Sequence, residues 1–253
     1  DRAAEAARQI EEKTKNIVNA LNNSADSVAA AFIANCSDCS QAGLDSLKKI
    51  GGEMTTGVNS ATANADSTIG KILKKALKEV DDVVDKAEKE AIGVLEKGGK
   101  NIEELQQKAK DELEQYTEDI LNIYKGYCSS TFSWQGTPEG FRDSQIACLN
   151  FRKEAESKIK DKKEDLSIFY GKQKQDEVDF AINTSDQIMA KAQADCDAIM
   201  NAAGKECQTV IDELKKQCES IMQAASEKCK KIQGYSEKIN MDEYIHNLFN
   251  KID

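Results

Sequence analysis

The sequence contains very few residues of the kinds that interrupt helices or build catalytic sites. It has one proline, one histidine and one tryptophan in 253 residues, and aromatic residues make up 6% of the chain. Because proline is the strongest helix breaker, its scarcity leaves long segments free to stay helical. The lone histidine, His246, stands near the C-terminal end, which argues against a Ser-His-Asp triad or a histidine-based metal centre.

Long apolar runs and an excess of basic charge are also missing. The longest apolar run, Val28 to Ala34, is far shorter than the roughly 20 residues of a transmembrane helix, so we predict no membrane span. Lys and Arg number 35 against 45 Asp and Glu, giving a net charge of −10. An acidic chain without a basic patch repels phosphate backbones and anionic lipids, which excludes nucleic acid as a partner and leaves protein partners open.

An apolar stripe with steps of three and four residues runs along 69–124 and includes Leu95 and Gly98. Its members eleven residues apart are Ile69, Val80, Ala91, Ile102, Leu113 and Tyr124. Similar stripes mark the two ends of the chain, through Ile10, Leu21 and Phe32 and through Cys196, Cys207, Cys218 and Cys229. Eleven residues fill almost three helical turns, so each stripe stays on one face of a helix, and strands are excluded.

These stripes predict an all-α fold, an elongated antiparallel bundle of long helices packed side by side as in a coiled coil. Because the composition shifts nowhere, we expect a single extended domain over 1–253. The predicted helices cover 3–34, 41–125, 143–233 and 240–251. Glycines near 51, 98, 171 and 204 are points where these helices can break, although Gly98 lies on the stripe and is equally consistent with a close helix approach.

Eight cysteines form an even set that predicts disulfides and a secreted protein. They are Cys36, Cys39, Cys128, Cys148, Cys196, Cys207, Cys218 and Cys229. The chain begins without Met, as after removal of a signal peptide. Sequons at Asn22, Asn35 and Asn183 are possible N-glycosylation sites and indicate a glycoprotein of the secretory pathway.

The spacing of the last four cysteines restricts how they pair. Residues eleven apart on one helix are about 16 Å apart, too far for a disulfide. The simplest scheme pairs each of them with one of the first four, whereas a turn at Gly204 would permit Cys196–Cys207. Cys128 with Cys148 is another possible pair. Cys36 and Cys39 lack the context of a thioredoxin-like or zinc site, so we interpret them as ordinary half-cystines.

The segment 126–142 differs from the rest of the chain and predicts a loop between two long helices. It contains the only tryptophan, Trp134, together with Tyr127, Phe132 and Phe141, which are our candidate partner-binding residues. Aromatic side chains on a connecting loop can anchor a partner. The alternative is that they plug the open end of the bundle.

No motif in the chain points to catalysis or to a cofactor. Phosphate-binding glycine loops, zinc-protease helices and calcium-binding loops are all missing from the sequence. We therefore predict a non-enzymatic protein with no cofactor that binds a protein partner. A carrier with a lipid or small apolar ligand between its helices is the alternative, because exchangeable apolipoproteins also use eleven-residue repeats; alanines on the stripe and the lack of periodic prolines count against it.

The chain resembles secreted helical proteins of insects, namely the TsetseEP-like gut proteins and the mosquito salivary helical proteins. The resemblance lies in the long Ala- and Lys-rich helices, the short segment flanked by Cys128 and Cys148, and the ladder of cysteines from Cys196 to Cys229. It implies an extracellular salivary or gut effector that engages another protein. It assigns no functional residues. Elongated helical surface receptors of trypanosomes are a further possibility.

Replacing Trp134 by alanine separates the two interpretations of the aromatic segment. If Trp134 anchors a partner, Trp134→Ala weakens binding by about 2 kcal/mol or more and leaves the melting temperature unchanged. If it plugs the bundle, the cavity lowers the free energy of unfolding by about 3–5 kcal/mol. Thermal denaturation and partner titration of the same variant decide between them.

Overall fold

The chain folds into four helices connected by short segments. The computed structural model describes residues 2–132 and 136–252, except for the side chain of Phe132. The helices are α1 (Arg2–Ala34), α2 (Gln41–Phe132), α3 (Pro138–Cys229) and α4 (Met241–Phe249), and the described residues form no strand. The predicted all-α class, with long helices packed against each other, is confirmed.

Helices α2 and α3 continue without interruption past the glycines at which breaks were possible. A Cβ atom at Gly51 would lie 3.1 Å from the Cβ of Ala29, and one at Gly98 would lie 2.9 Å from the Cβ of Ala181. These two glycines therefore mark close approaches between helices, because a side chain would hold the backbones apart. Gly171 and Gly204 also lie inside an unbroken α3.

Much of the segment 126–142, which the sequence predicted to be a loop, belongs to the ends of α2 and α3. Helix α2 extends to Phe132, and the hydroxyl groups of Ser130 and Thr131 donate hydrogen bonds to the carbonyl oxygen of Tyr127 instead of ending the helix. Helix α3 begins at Pro138, since the first helical position requires no N–H donor. Composition alone suggested a loop here, because Ser, Thr and Pro are common both in turns and at helix ends.

Contacts within the chain group it into two compact units. The single extended domain over 1–253 stays a prediction. Unit 1 comprises Asp1–Asp85 and Ala192–Asp253, and unit 2 comprises Lys86–Lys191. Unit 1 contains α1, α4, the first part of α2 and the last part of α3. The described residues of unit 2 belong, apart from Gly136 and Thr137, to the remaining parts of α2 and α3, which run antiparallel to each other.

The core of unit 1 is built by the stripes of three long helices. Ala29 of α1 packs on Gly51 of α2, and Ile10 of α1 lies 3.7 Å from the Cβ position of Gly204 of α3. Fully buried apolar side chains come from all four helices, among them Leu21, Val28, Phe32, Leu47, Val58, Cys218, Met222, Met241 and Ile245. Burying side chains of this size contributes about 1.5–3 kcal/mol each.

A buried asparagine just after the end of α1 fastens this helix to the segment that precedes α4. The Nδ2 group of Asn35 donates to the carbonyl oxygen of Ile239 at 2.9 Å and to the hydroxyl of Tyr235 at 3.2 Å. Its Oδ1 accepts from the backbone N–H of Ile239 at 2.9 Å, and its carbonyl oxygen accepts from the N–H of Ser236. The side chain is fully buried, so these partners replace water.

We predict that Asn35→Ala lowers the free energy of unfolding by about 1–3 kcal/mol, because it leaves backbone groups of Ile239 without partners. Ser226→Ala is the matched control, since the buried Oγ of Ser226 has no hydrogen-bond partner among the described residues. Removing that hydroxyl is expected to be neutral or stabilising. Urea denaturation of both variants checks this, and equal stabilities would show that the Asn35 hydrogen bonds contribute nothing.

Candidate interaction surface

The two helices of unit 2 meet along one narrow seam of mostly small side chains. The buried residues of this seam are Ala87, Ala91, Gly98 and Cys128 on α2 and Cys148, Ala155, Leu166 and Ala181 on α3. The contact between Gly98 and Ala181 fixes the register of the pair. Small residues let the two backbones approach closely, but they bury little apolar area.

Exposed apolar side chains are concentrated in unit 2. Thirteen of the fifteen large apolar residues that are exposed in the described chain lie there, and Ile33 and Ile239 of unit 1 are the other two. The thirteen are Ile92, Leu95, Leu121, Ile123, Tyr127, Phe141, Ile146, Leu149, Ile168, Phe169, Phe180, Ile182 and Met189. This concentration distinguishes unit 2 from unit 1 and makes its surface the candidate interaction surface.

A disulfide and a pair of stacked rings join the C-terminal end of α2 to the N-terminal part of α3. Cys128 and Cys148, one of the possible pairs from the sequence, are bonded, with their Cα atoms 5.6 Å apart. The ring of Tyr127 stacks on Phe151 at a centroid distance of 4.6 Å. Of the predicted binding residues, Tyr127 and Phe141 are exposed at this end, whereas Trp134 and the side chain of Phe132 lie outside the described residues.

Charged groups on unit 2 pair with close neighbours. Lys162 of α3 donates to Glu112 of α2 at 2.7 Å, and the hydroxyl of Tyr170 donates to the same carboxylate at 3.1 Å. The hydrogen bond from Lys162 lowers the pKa of Glu112, and that from Tyr170 adds to the effect. Arg152 and Glu156 pair within α3. Such exposed pairs contribute little to stability.

The four cysteines of the C-terminal ladder are unpaired in the structure, which does not show the disulfides predicted for them. Cys36 bonds to Cys39, with Cα atoms 5.5 Å apart, and so neither is available to the ladder. Cys196, Cys207, Cys218 and Cys229 are buried in unit 1, where they pack as small apolar side chains. Burial raises the pKa of Cys218 to about 11 and that of Cys229 to about 12.

The three sequons occupy different surroundings. Asn183 is exposed on α3, and Asn22 is half-buried with its Oδ1 accepting from the hydroxyl of Thr62. Asn35 is fully buried with its Nδ2 group bonded inside the fold, so the predicted glycan at Asn35 is incompatible with this structure. A glycan on Nδ2 needs solvent around the side chain, which only Asn183 clearly offers.

The described part of the chain contains neither a cluster of metal ligands nor a helix that could cross a membrane. Within residues 2–132 and 136–252, no three His, Cys, Asp or Glu side chains lie close enough to hold a metal ion. Among the described helices, none combines the length and the apolar character that crossing a membrane requires. Comparison of the chain with protein-family models, curated proteins and solved structures found no match.

Sequence reasoning missed most of the apolar surface of unit 2. The stripe placed Leu95 in the core, but the structure half-buries Val94 and leaves Leu95 exposed. Ile92 and Ile182 were not singled out at all. The sequence contained a signal for these two residues, because each directly follows an alanine that is buried. An apolar residue beside a buried one makes the apolar stripe wider than one neighbouring helix can cover.

We predict four reactive thiols in the denatured, unreduced protein and very slow reaction in the folded state. Denaturation exposes the ladder cysteines, whereas burial in the folded chain hides them and keeps the thiolate, the reactive form, scarce. Titration with a thiol reagent at pH 8 gives the count, and Cys218→Ala should reduce it to three. A count of zero would mean that the ladder is oxidised.

Proposed function

We propose that the protein is a secreted, non-enzymatic interaction protein that presents the helical surface of unit 2 to a protein partner. The observation that carries this proposal is the concentration of thirteen exposed apolar side chains in the two-helix unit. Unit 1 covers the same kinds of side chain with α1 and α4. Unit 2 has no corresponding helix among the described residues, so its apolar surface is available to another molecule.

The energetics of the surface favour a macromolecular partner. Each buried square ångström of apolar surface contributes about 25 cal/mol, so covering several isoleucine, leucine and phenylalanine side chains provides substantial binding energy. Tyr127, supported from one side by Phe151, is a rigid aromatic group of the type that dominates protein interfaces. The Cys128–Cys148 bond holds the two helix ends together, which reduces the entropy lost on binding.

The alternative, a carrier of an apolar ligand, is less well supported. Two grooves in unit 1, of about 350 and 580 Å³, lie at the surface between helices. Lys75, Glu79 and Glu206 line the first, and Lys13 and Lys205 line the second. Charged walls suit a solvated groove better than a lipid site.

An extracellular location agrees with two disulfides in a chain of this size, because such bonds persist in oxidising compartments. The more specific setting, a salivary or gut effector, comes from the resemblance to secreted insect proteins. It follows that the partner belongs to extracellular fluid or to a cell surface.

The proposal is tested by isolating a partner and then changing the surface. The immobilised wild-type chain is exposed to extracellular fluid of the source tissue, and a retained protein is purified and titrated by calorimetry. We expect saturable binding that weakens at least about tenfold, ~1.4 kcal/mol, when Ile92, Ile168, Phe180 and Ile182 are all changed to serine.

The matched control is the double variant Ile33→Ser with Ile239→Ser, which changes exposed apolar side chains of unit 1. It should bind like wild type. Equal affinity of the unit 2 variant and the control would contradict the proposed surface. Native mass spectrometry of protein from the source tissue that found a retained apolar small molecule and no protein partner would favour the carrier.

A further inference from the structure

Four of the exposed apolar side chains in unit 2 occupy equivalent positions on the two helices. Each directly follows a buried or half-buried seam residue, and each is 40–55% exposed. They are Ile92 and Leu95 on α2 and Ile182 and Met189 on α3. We call these four residues the apolar patch.

The members of the apolar patch lie on one side of the helix pair and at one level. The side chain that follows a seam residue is rotated by about 100° around the helix axis. In two antiparallel helices, this rotation places the following side chains of both helices on the same side of the seam. Because Gly98 meets Ala181, Ile182 lies across from residue 97 and Met189 from residue 90. The patch therefore extends over roughly two turns, about 11 Å along the axis.

In unit 1, the equivalent side of α2 and α3 is covered by α1. Thr62, which directly follows the buried Ala61, donates a hydrogen bond to Asn22 of α1. On α3, Gly204 follows the buried Ala203 and faces Ile10 of α1. In unit 1, the helix that covers this side of α2 and α3 is therefore α1, an amphipathic helix whose apolar stripe faces the seam.

The corresponding side of unit 2 is shaped for the same type of occupant. A Cβ atom at Gly99, which follows the seam residue Gly98, would meet nothing within 4 Å, so a backbone can approach there. The exposed charged residues three or four positions from Ile92 and Ile182 are mostly acidic, among them Glu88, Glu96 and Asp186, with Lys89 as a basic neighbour. A helix with basic residues beside its apolar stripe complements this edge, whereas a second copy would bring like charges together.

We propose that the apolar patch docks an amphipathic helix of a protein partner, with Lys or Arg residues flanking its apolar stripe, in the position that α1 takes in unit 1. This inference rests on the proposed function and specifies the partner's chemistry and the site. Ile92 and Ile182 would insert between side chains of that helix, and Glu88 and Asp186 would pair with its basic residues.

The probe is a synthetic helical peptide of roughly 18 residues, built from leucine at alternating three- and four-residue steps and lysine elsewhere. Its binding to the full chain is measured by fluorescence anisotropy. The patch variant combines Ile92→Ser with Ile182→Ser. The matched off-patch variant combines Ile33→Ser with Ile239→Ser, which changes exposed apolar side chains of unit 1. Circular dichroism confirms that both variants remain helical.

We expect the patch variant to bind the peptide at least about tenfold more weakly than wild type and the off-patch variant to stay within about twofold. A peptide with glutamate in place of lysine should bind at least about tenfold more weakly, and a scrambled peptide should not compete. Equal losses in the two variants would overturn the inference, because binding would then be unspecific.

Two further results would overturn the inference and leave the proposed function intact. One is binding of the isolated natural partner to wild type and patch variant with equal affinity. The other is self-association of wild type in sedimentation experiments that the patch variant loses, since a second copy would then occupy the patch. If no partner were isolated and the peptide still bound at the patch, the proposed function would fail while the helix-binding site remained.

Discussion

Two packed helices share only one line of contact, and this limit governs both units of the protein. A helix whose apolar stripe is wider than that line needs a second neighbour to cover the remainder. In unit 1, α1 is that neighbour, and side chains such as Leu21 and Phe32 become fully buried. In unit 2, most of the fully buried positions on this line are alanine or glycine, and larger residues such as Ile92 and Ile182 remain at the surface.

The eleven-residue period was sufficient to predict helices and their class, because spacing determines which residues share a face. It was not sufficient to place each residue within that face. Val94 and Leu95 are adjacent and similar in chemistry, and only the register set by Gly98 against Ala181 decides which of them faces the partner helix. The register between α2 and α3 depends on tertiary contacts, which a local sequence pattern does not specify. The exposed residues of the candidate surface could therefore not be predicted from the sequence.

Cysteine and asparagine illustrate the same limit for individual side chains. An even number of cysteines suggested complete pairing, yet four of them lie on the core stripe, where a thiol packs like a small apolar group. Asn35 stands in a sequon, but the fold uses its amide to join α1 to the segment before α4. In both cases the chemistry of the residue allowed two uses, and burial selected one of them.

The exposed surface of unit 2 also has a physical cost that points to its use. Apolar groups in contact with water raise the free energy of the free chain relative to any state in which they are covered. A surface without function would lose these residues easily, since serine or lysine at an exposed helix position costs little. The charged residues beside the patch are mostly acidic and favour partners of the opposite sign. In the proposed interface, small residues set the helix spacing, larger residues provide the contact area, and the mostly acidic charges beside the patch favour a basic partner.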